Sequence, residues 1–201
     1  MGFAVWKLGG SLLDLPDLAE RINQLHAEQS PALPVVIIPG GGVFADAVRT
    51  MDQRHDLKPL HSNHLALQSM QISADLTAML LVNLTAMVGS DWHEKMLRTW
   101  KKESRPSSIQ VWNVIPTWYE RNRELEKRFG ETPVDWSFTS DSLAAIFAAH
   151  WGADCFTLIK SVDRPGNASW EECAQLGIVD GYFPTIASHL NRIEWVNLRA
   201  Q

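Results

Sequence analysis

An apolar run that stops on paired glycines, twice within the first fifty residues, constrains this chain more than any other feature. Residues 3–6 (Phe-Ala-Val-Trp) read as a buried strand, followed by Lys7-Leu8-Gly9-Gly10-Ser11 and then a helical pattern. Val35-Val36-Ile37-Ile38 repeats the theme, and Pro39-Gly40-Gly41-Gly42 after it opens a second helical stretch. Short runs that are apolar throughout and rich in β-branched residues suit strands covered on both faces of a parallel sheet. Two strand–turn–helix units in succession therefore predict an α/β architecture. Glycine at such a turn lets backbone N–H groups approach an anion with no Cβ in the way. Lys7 adds a mobile positive charge suited to phosphate. One phosphate-handling cleft at the carboxyl ends of these strands is the expectation.

The remaining chain extends the pattern. Asp14 or Asp17 is expected to cap a helix reaching about Gln29, with Leu18, Ile22 and Leu25 on its buried face. Residues 61–88 carry side chains at helical spacing (Leu65, Ser69 and Ile72, then Leu76, Met79, Leu80 and Leu84), predicting one long helix or two in tandem, with the methionines as core filler. Residues 91–105 read as a charged, solvated stretch and 109–115 as a strand. A charged helix over 118–129 has opposite charges spaced for local pairing. Thr139-Ser140-Asp141-Ser142 precedes a small-residue helix over 143–149, and 155–159 is another apolar strand, ending at Lys160. A helix near 170–176 and a strand over 193–198 complete the reading.

At 201 residues, 45% hydrophobic and 20% charged, the chain fits a single domain spanning 1–201. A net charge of −5 gives no basic footprint for nucleic acid, and no apolar stretch reaches the roughly 20 residues of a membrane span. The sequence enters a strand directly, so the expected compartment is the cytoplasm. Nine tryptophans exceed what one core of this size absorbs, and large aromatics concentrate at interfaces, so a homo-oligomer is expected. His61 and His64 could share a helix face but lack a third ligand nearby, so no metal site is expected.

Three polar strand ends then stand out: Lys7 with Gly9 and Gly10, the Gly40–Gly41–Gly42 turn, and Lys160 with Asp163. Phosphoryl transfer asks mainly for positioning and for positive charge on the moving group. Asp141 repels phosphate and is better suited to orienting a lysine or joining a metal shell; the plainer alternative is a helix cap alone. The chain has neither G-x-x-x-x-G-K-[ST] nor G-x-G-x-x-G, which excludes a plain P-loop and disfavours a dinucleotide fold.

Taken in order, Lys7-Leu8-Gly9-Gly10-Ser11, Pro39-Gly40-Gly41-Gly42, Thr139-Ser140-Asp141-Ser142-Leu143-Ala144-Ala145 and Val162-Asp163 resemble the amino acid kinase family over roughly residues 3–165. That family includes aspartate, glutamate, acetylglutamate, uridylate and isopentenyl phosphate kinases. The resemblance implies a three-layer αβα sandwich with a mainly parallel sheet. It also implies transfer of the γ-phosphoryl group of ATP, with Mg2+, to a phosphate-monoester or carboxylate acceptor. Lys7 and Lys160 would stabilise the moving group and Asp141 would orient them. Gly9, Gly10, Ser11, Ser161 and Asp163 would hold the nucleotide, and Gly40, Gly41, Gly42, Thr139 and Ser140 the acceptor. The form Trp136-Ser137-Phe138-Thr139-Ser140-Asp141-Ser142 is similar to the branch of archaeal aminomethylfuran phosphate kinases. The chain departs from the family at Lys160-Ser161-Val162-Asp163-Arg164, where most members read T-D-V-D-G. It also lacks the later Gly-Met-x-x-Lys, leaving Lys160 as the substitute second lysine. A tail that is short for the family motivates the rival expectation, a non-catalytic ligand-binding or regulatory module on the same fold.

Overall fold

The computed structural model describes residues 2–29, 33–81, 87–102 and 108–200. Six parallel strands form one sheet: β1 (Ala4–Leu8), β2 (Val35–Pro39), β3 (Met87–Val88), β4 (Ile109–Asn113), β5 (Cys155–Lys160) and β6 (Ile193–Asn197). Their spatial order is β3-β4-β2-β1-β5-β6. The chain thus builds outward from β1 on one side and returns to add β5 and β6 on the other. In such sheets ligands bind outside the carboxyl ends of the strands where the order reverses, which here means the end of β1.

Among the described residues eight α-helices accompany the strands: α1 (Leu18–Glu28), α2 (Gly42–His55), α3 (Pro59–Leu80), α4 (Ser90–Lys102), α5 (Ile115–Phe129), α6 (Ser140–Trp151), α7 (Trp170–Gln175) and α8 (Phe183–Ala187). The two faces of the sheet bury separate cores. Ala4, Trp6 and Leu8 join Leu18 and Ile22 of α1 on one side; Val5, Val36 and Leu158 join α6, Trp100, Trp112 and Trp118 on the other. The strand period of two fixes this division. It also puts Lys7 on the face of Val5, and Lys160 on the face of Leu158, the face that α6 covers. Ala144, Ala145 and Ala148 keep α6 close to the sheet.

Several local expectations are corrected. Asp17 precedes α1, yet its carboxylate accepts from Arg21 Nε at 2.9 Å and caps nothing. The predicted 61–88 helix ends at Leu80, Met87–Val88 is a strand, and the intervening 82–86, with Leu84, lie outside the described residues. So do residues 103–105 at the end of the charged stretch, whose remainder is α4. Of the residues in that pattern Ser69 is buried, while several of the larger ones turn outward and Met79 is no core filler. Leu67, Met70, Ser73, Ala74, Thr77 and Ala78 are buried, whereas Leu65, Ile72 and Met79 are exposed. Small residues face inward because α3 packs closely on α2 and the sheet, and Ser73 Oγ reaches Gly41 O at 3.0 Å. Large side chains would hold that backbone contact open. No helix among the described residues is long and apolar enough to cross a membrane.

Candidate active site

Both glycine turns lie at the carboxyl ends of neighbouring strands and touch. Gly40 N donates to Leu8 O at 2.8 Å and Gly9 N to Ile159 O at 2.8 Å, which pins each turn to the strand beside it. A Cβ on Gly10 would stand 2.2 Å from Gly42 N, and Gly42 itself has φ +54°. Only glycine fits both demands: bare backbone contact at one position, left-handed φ at the other. The helix α2 begins at Gly42 and α6 at Ser140, so two helix N-termini open toward the same space.

Between them Asp141, in the first turn of α6, is held by both lysines. Lys7 Nζ lies 2.8 Å from Asp141 Oδ1, and Lys160 Nζ lies 2.7 Å from Oδ2 and 2.8 Å from Oδ1. Asp180 N donates to the same Oδ2 at 3.2 Å. All three charged side chains are buried or nearly so. Burial pushes the Asp141 carboxyl up, but Lys160 and Lys7 outweigh it and bring it down to about 2. Burial lowers the Lys160 ammonium to about 8 against the pull of Asp141. The cluster is a carboxylate clamping two cations at the bottom of a glycine-lined mouth. The plainer reading of Asp141 as a helix cap fails, because it stands inside the first turn and spends its oxygens on lysines.

A cavity of about 360 Å³ opens above it, lined by Gly10, Ser11, Gly40, Gly41, Gly42 and Ser140 among others. Lys7 belongs to its floor: a Cβ on Gly40 would be 3.2 Å from Lys7 Nζ and 2.8 Å from Ser140 Oγ. Across the cavity Arg49 stacks over Trp136 at 4.4 Å, and Trp136 Nε1 donates to Asp52 at 2.7 Å. Sequence reasoning did not single out Arg49. It stands seven residues past Gly42 on a helix whose first turn alone drew notice.

The predicted site residues sort as follows. Lys7, Asp141 and Lys160 converge, and Gly10, Ser11, Gly40–Gly42, Thr139 and Ser140 line one cavity. Ser11 Oγ donates to Ser161 Oγ at 3.1 Å, joining the first glycine turn to the end of β5. Thr139 lines the cavity, but its hydroxyl is spent on Asp180 at 3.0 Å. Asp163 does not line the cavity and accepts instead from Asn197 Nδ2 at 3.1 Å. His61 and His64 bind no third partner of metal-site type: His64 Nδ1 meets the Tyr119 hydroxyl at 2.8 Å, and no metal-ligating cluster exists among the described residues. The segment after β5 also takes part. Its β6 pairs with β5, and Arg199 reaches Ser11 O at 2.9 Å and Asp14 at 2.6 Å, bracing the first turn from outside.

Residues 2–164 match the model of the amino acid kinase family. The uridylate kinase of Archaeoglobus fulgidus is similar in fold, with 16% identity and TM-score 0.60 over 98% of this chain and 91% of that one. The UMP kinase of Ureaplasma parvum gives 15% and 0.61 over 98% and 89%. The aspartate kinase of Synechocystis gives 13% and 0.57 over 96% of this chain, which spans only 38% of that one. At such identities the likeness is one of fold. No curated protein sequence matches.

Proposed function

The chain belongs to the amino acid kinase family, and from that premise we propose that it transfers the γ-phosphoryl group of ATP to a small acceptor carrying a phosphate monoester or a carboxylate. The carrying observation is the clamp of Lys7 and Lys160 on Asp141 beneath the glycine-lined cavity. Positive charge and oriented N–H groups held rigidly where negative charge moves are what phosphoryl transfer requires. In this reading Gly9, Gly10, Ser11 and Ser161 hold the triphosphate side. Gly40–Gly42 and Ser140 hold the acceptor, whose anionic group pairs with Arg49. Lys7 and Lys160 lie between and neutralise the transferring group, while Asp141 keeps both ammonium groups aimed inward. An acceptor of the aminomethylfuran phosphate kind has the required phosphate, and UMP and aspartate are the comparators.

Mg2+ would neutralise the phosphates when nucleotide is bound. Asp141 is taken by two lysines, and no group of three His, Cys, Asp or Glu side chains placed to hold a metal ion is found among the described residues. The ion would travel on the triphosphate itself, as Mg2+ commonly does.

Titration calorimetry with Mg-ATP is expected to show binding at or below millimolar nucleotide. A panel of UMP, aspartate, glutamate and small aminated phosphate esters, read by ADP release, then names the acceptor class. Absence of heat at millimolar Mg-ATP would overturn the kinase reading in favour of a ligand-binding module.

We also propose a homodimer, though not through the tryptophans, none of which is exposed. The exposed apolar residues gather on α3 instead: Leu60 at 63%, Leu65 at 40%, Ile72 at 52% and Met79 at 75%. Leu65, Ile72 and Met79 recur every seventh residue and form one stripe. At its start Leu57, Leu60, His61, His64 and Leu65 line an apolar groove; at its end stands Met79. A second copy laid antiparallel about Gln68 puts each Met79 into the other's groove and each His61 opposite Asp75. Light scattering at micromolar concentration is expected to give the dimer mass, and Ile72→Arg, which sets a guanidinium against His64 of the second copy, the monomer mass. A monomeric wild type, or an Ile72→Arg dimer, would overturn the assignment.

A further inference from the structure

Asp180 lies beyond the family match, which ends at residue 164, in a turn that reads as an ordinary loop. Its side chain is nonetheless among the few buried carboxylates, and its acceptor capacity is filled. Oδ2 accepts from Thr139 N at 3.1 Å, Thr139 Oγ1 at 3.0 Å and Ser142 N at 2.9 Å. Oδ1 accepts from Phe183 N at 3.1 Å and from the Ser142 hydroxyl. Its own N–H donates to Asp141 Oδ2. Thr139 occupies the N-cap position of α6 without making the cap bond, so the cap of that helix comes from a carboxylate 41 residues away.

Asp141 sits in the first turn of the helix that Asp180 caps. We propose that Asp180 is a positioning residue: by fixing the start of α6 from one side and bonding Asp141 from the other, it holds Asp141 against Lys7 and Lys160. The short tail after β5 thereby becomes part of the site's scaffold. A cap alone would need only a Ser or Thr at residue 139 or nearby, and Thr139, Ser140 and Ser142 stand there; importing a second buried negative charge beside Asp141 costs desolvation and repulsion. Both effects raise the Asp180 carboxyl, burial first and Asp141 second. The charged groups that face it are Asp141 and Lys160. Its catalytic consequence rests on the kinase reading; its effect on the lysines does not.

The test is a four-member set: wild type, Asp180→Asn, Asp141→Asn and the double variant. Lys160 is titrated by NMR of its side chain, thermal melting is followed, and turnover is read as hydrolysis of Mg-ATP with water as the acceptor. Asp180→Asn keeps the volume but turns an amide N–H toward the donors of α6. Its expected result is a fall in the Lys160 midpoint, since the Asp141 contact that raises it is loosened. Turnover should fall about 10²-fold with KM for Mg-ATP unchanged, the scale of a small misplacement of a reacting group. In the Asp141→Asn background the same substitution should move Lys160 far less. An equal shift in both backgrounds would mean bare charge acting through space, and would overturn the proposal. So would a lower melting temperature with Lys160 unmoved. If Asp180→Asn does not fold, Ser142→Ala removes one donor to Asp180 and should move Lys160 in the same direction by less; an unmoved Lys160 there overturns it equally. A wild type with no turnover would defeat the kinase reading, while the lysine titration would still decide this one.

Discussion

Asp141→Asn is expected to lower turnover by about 10²-fold or more, the cost of removing a preorganised electrostatic contact from the proposed phosphoryl-transfer site. The substitution keeps the shape of the side chain and removes its charge, leaving Lys7 and Lys160 buried side by side without the carboxylate that lies 2.8 and 2.7 Å from them. Breaking a buried pair by deleting one partner typically costs about 3–5 kcal/mol. Part of that is relieved if Lys160, already lowered to about 8, gives up its proton. The melting temperature should therefore drop, and drop most at neutral pH, where Lys160 is charged. Had Asp141 been only a helix cap, Asn would replace it at no cost, because the two residues cap equally well. Initial rates and melting curves on the one variant separate these outcomes. Unchanged turnover would remove Asp141 from the site.

Gly10→Ala should be the most damaging substitution of a single methyl. The added Cβ would stand 2.2 Å from Gly42 N, 2.4 Å from Gly42 Cα and 3.0 Å from Gly40 O. Every one of these is backbone, so no side chain can swing away and the two turns must part. Overpacking of this kind costs about 1–3 kcal/mol or more. A mouth widened by a fraction of an ångström to an ångström would cost turnover about 10²-fold besides. Gly9→Ala is the internal control: its Cβ meets Ile159 O at 3.1 Å, a contact that a few tenths of an ångström relieves. Melting temperature and rate should both rank wild type, Gly9→Ala, Gly10→Ala. A Gly10→Ala protein as active as Gly9→Ala would show that the turns are not in functional contact.

Much of the sheet was legible because its strands carry their signal locally. Val35–Ile38 is apolar throughout and runs into Pro39-Gly40, while residues 155–159 are broken only by Thr157 and end on Lys160. Lys7 and Lys160 were legible for the same reason, since a charge at the end of a buried strand has few uses. Asp180 was not. Its partners Thr139 and Ser142 lie about forty residues earlier, and nothing in Val-Asp-Gly-Tyr distinguishes it from a turn-forming aspartate. The four polar residues at 139–142 looked like a surplus of caps, whereas the cap comes from outside and Thr139 is one of the groups it binds. The buried side of α3 was only partly legible, because periodicity reports where large apolar residues recur, not which side the sheet occupies. Where backbone must approach backbone, as at Ser73 and Gly41, the buried side is the small-residue side.

The order in which the sheet is laid down has a consequence for synthesis. Lys7 pairs in register with Leu158, and its other neighbour, Ile38, is made some hundred and twenty residues sooner. A nascent chain can join β1 to β2, and β4 to β2, long before β5 exists. Throughout that interval β1 carries an unpaired, apolar edge, the kind that recruits strands from other chains. Closing the loop to β5 completes the sheet and, in the same event, brings Lys160 to Asp141. The hazard of the half-made molecule ends, and the clamp of two lysines on one carboxylate forms, at one pairing.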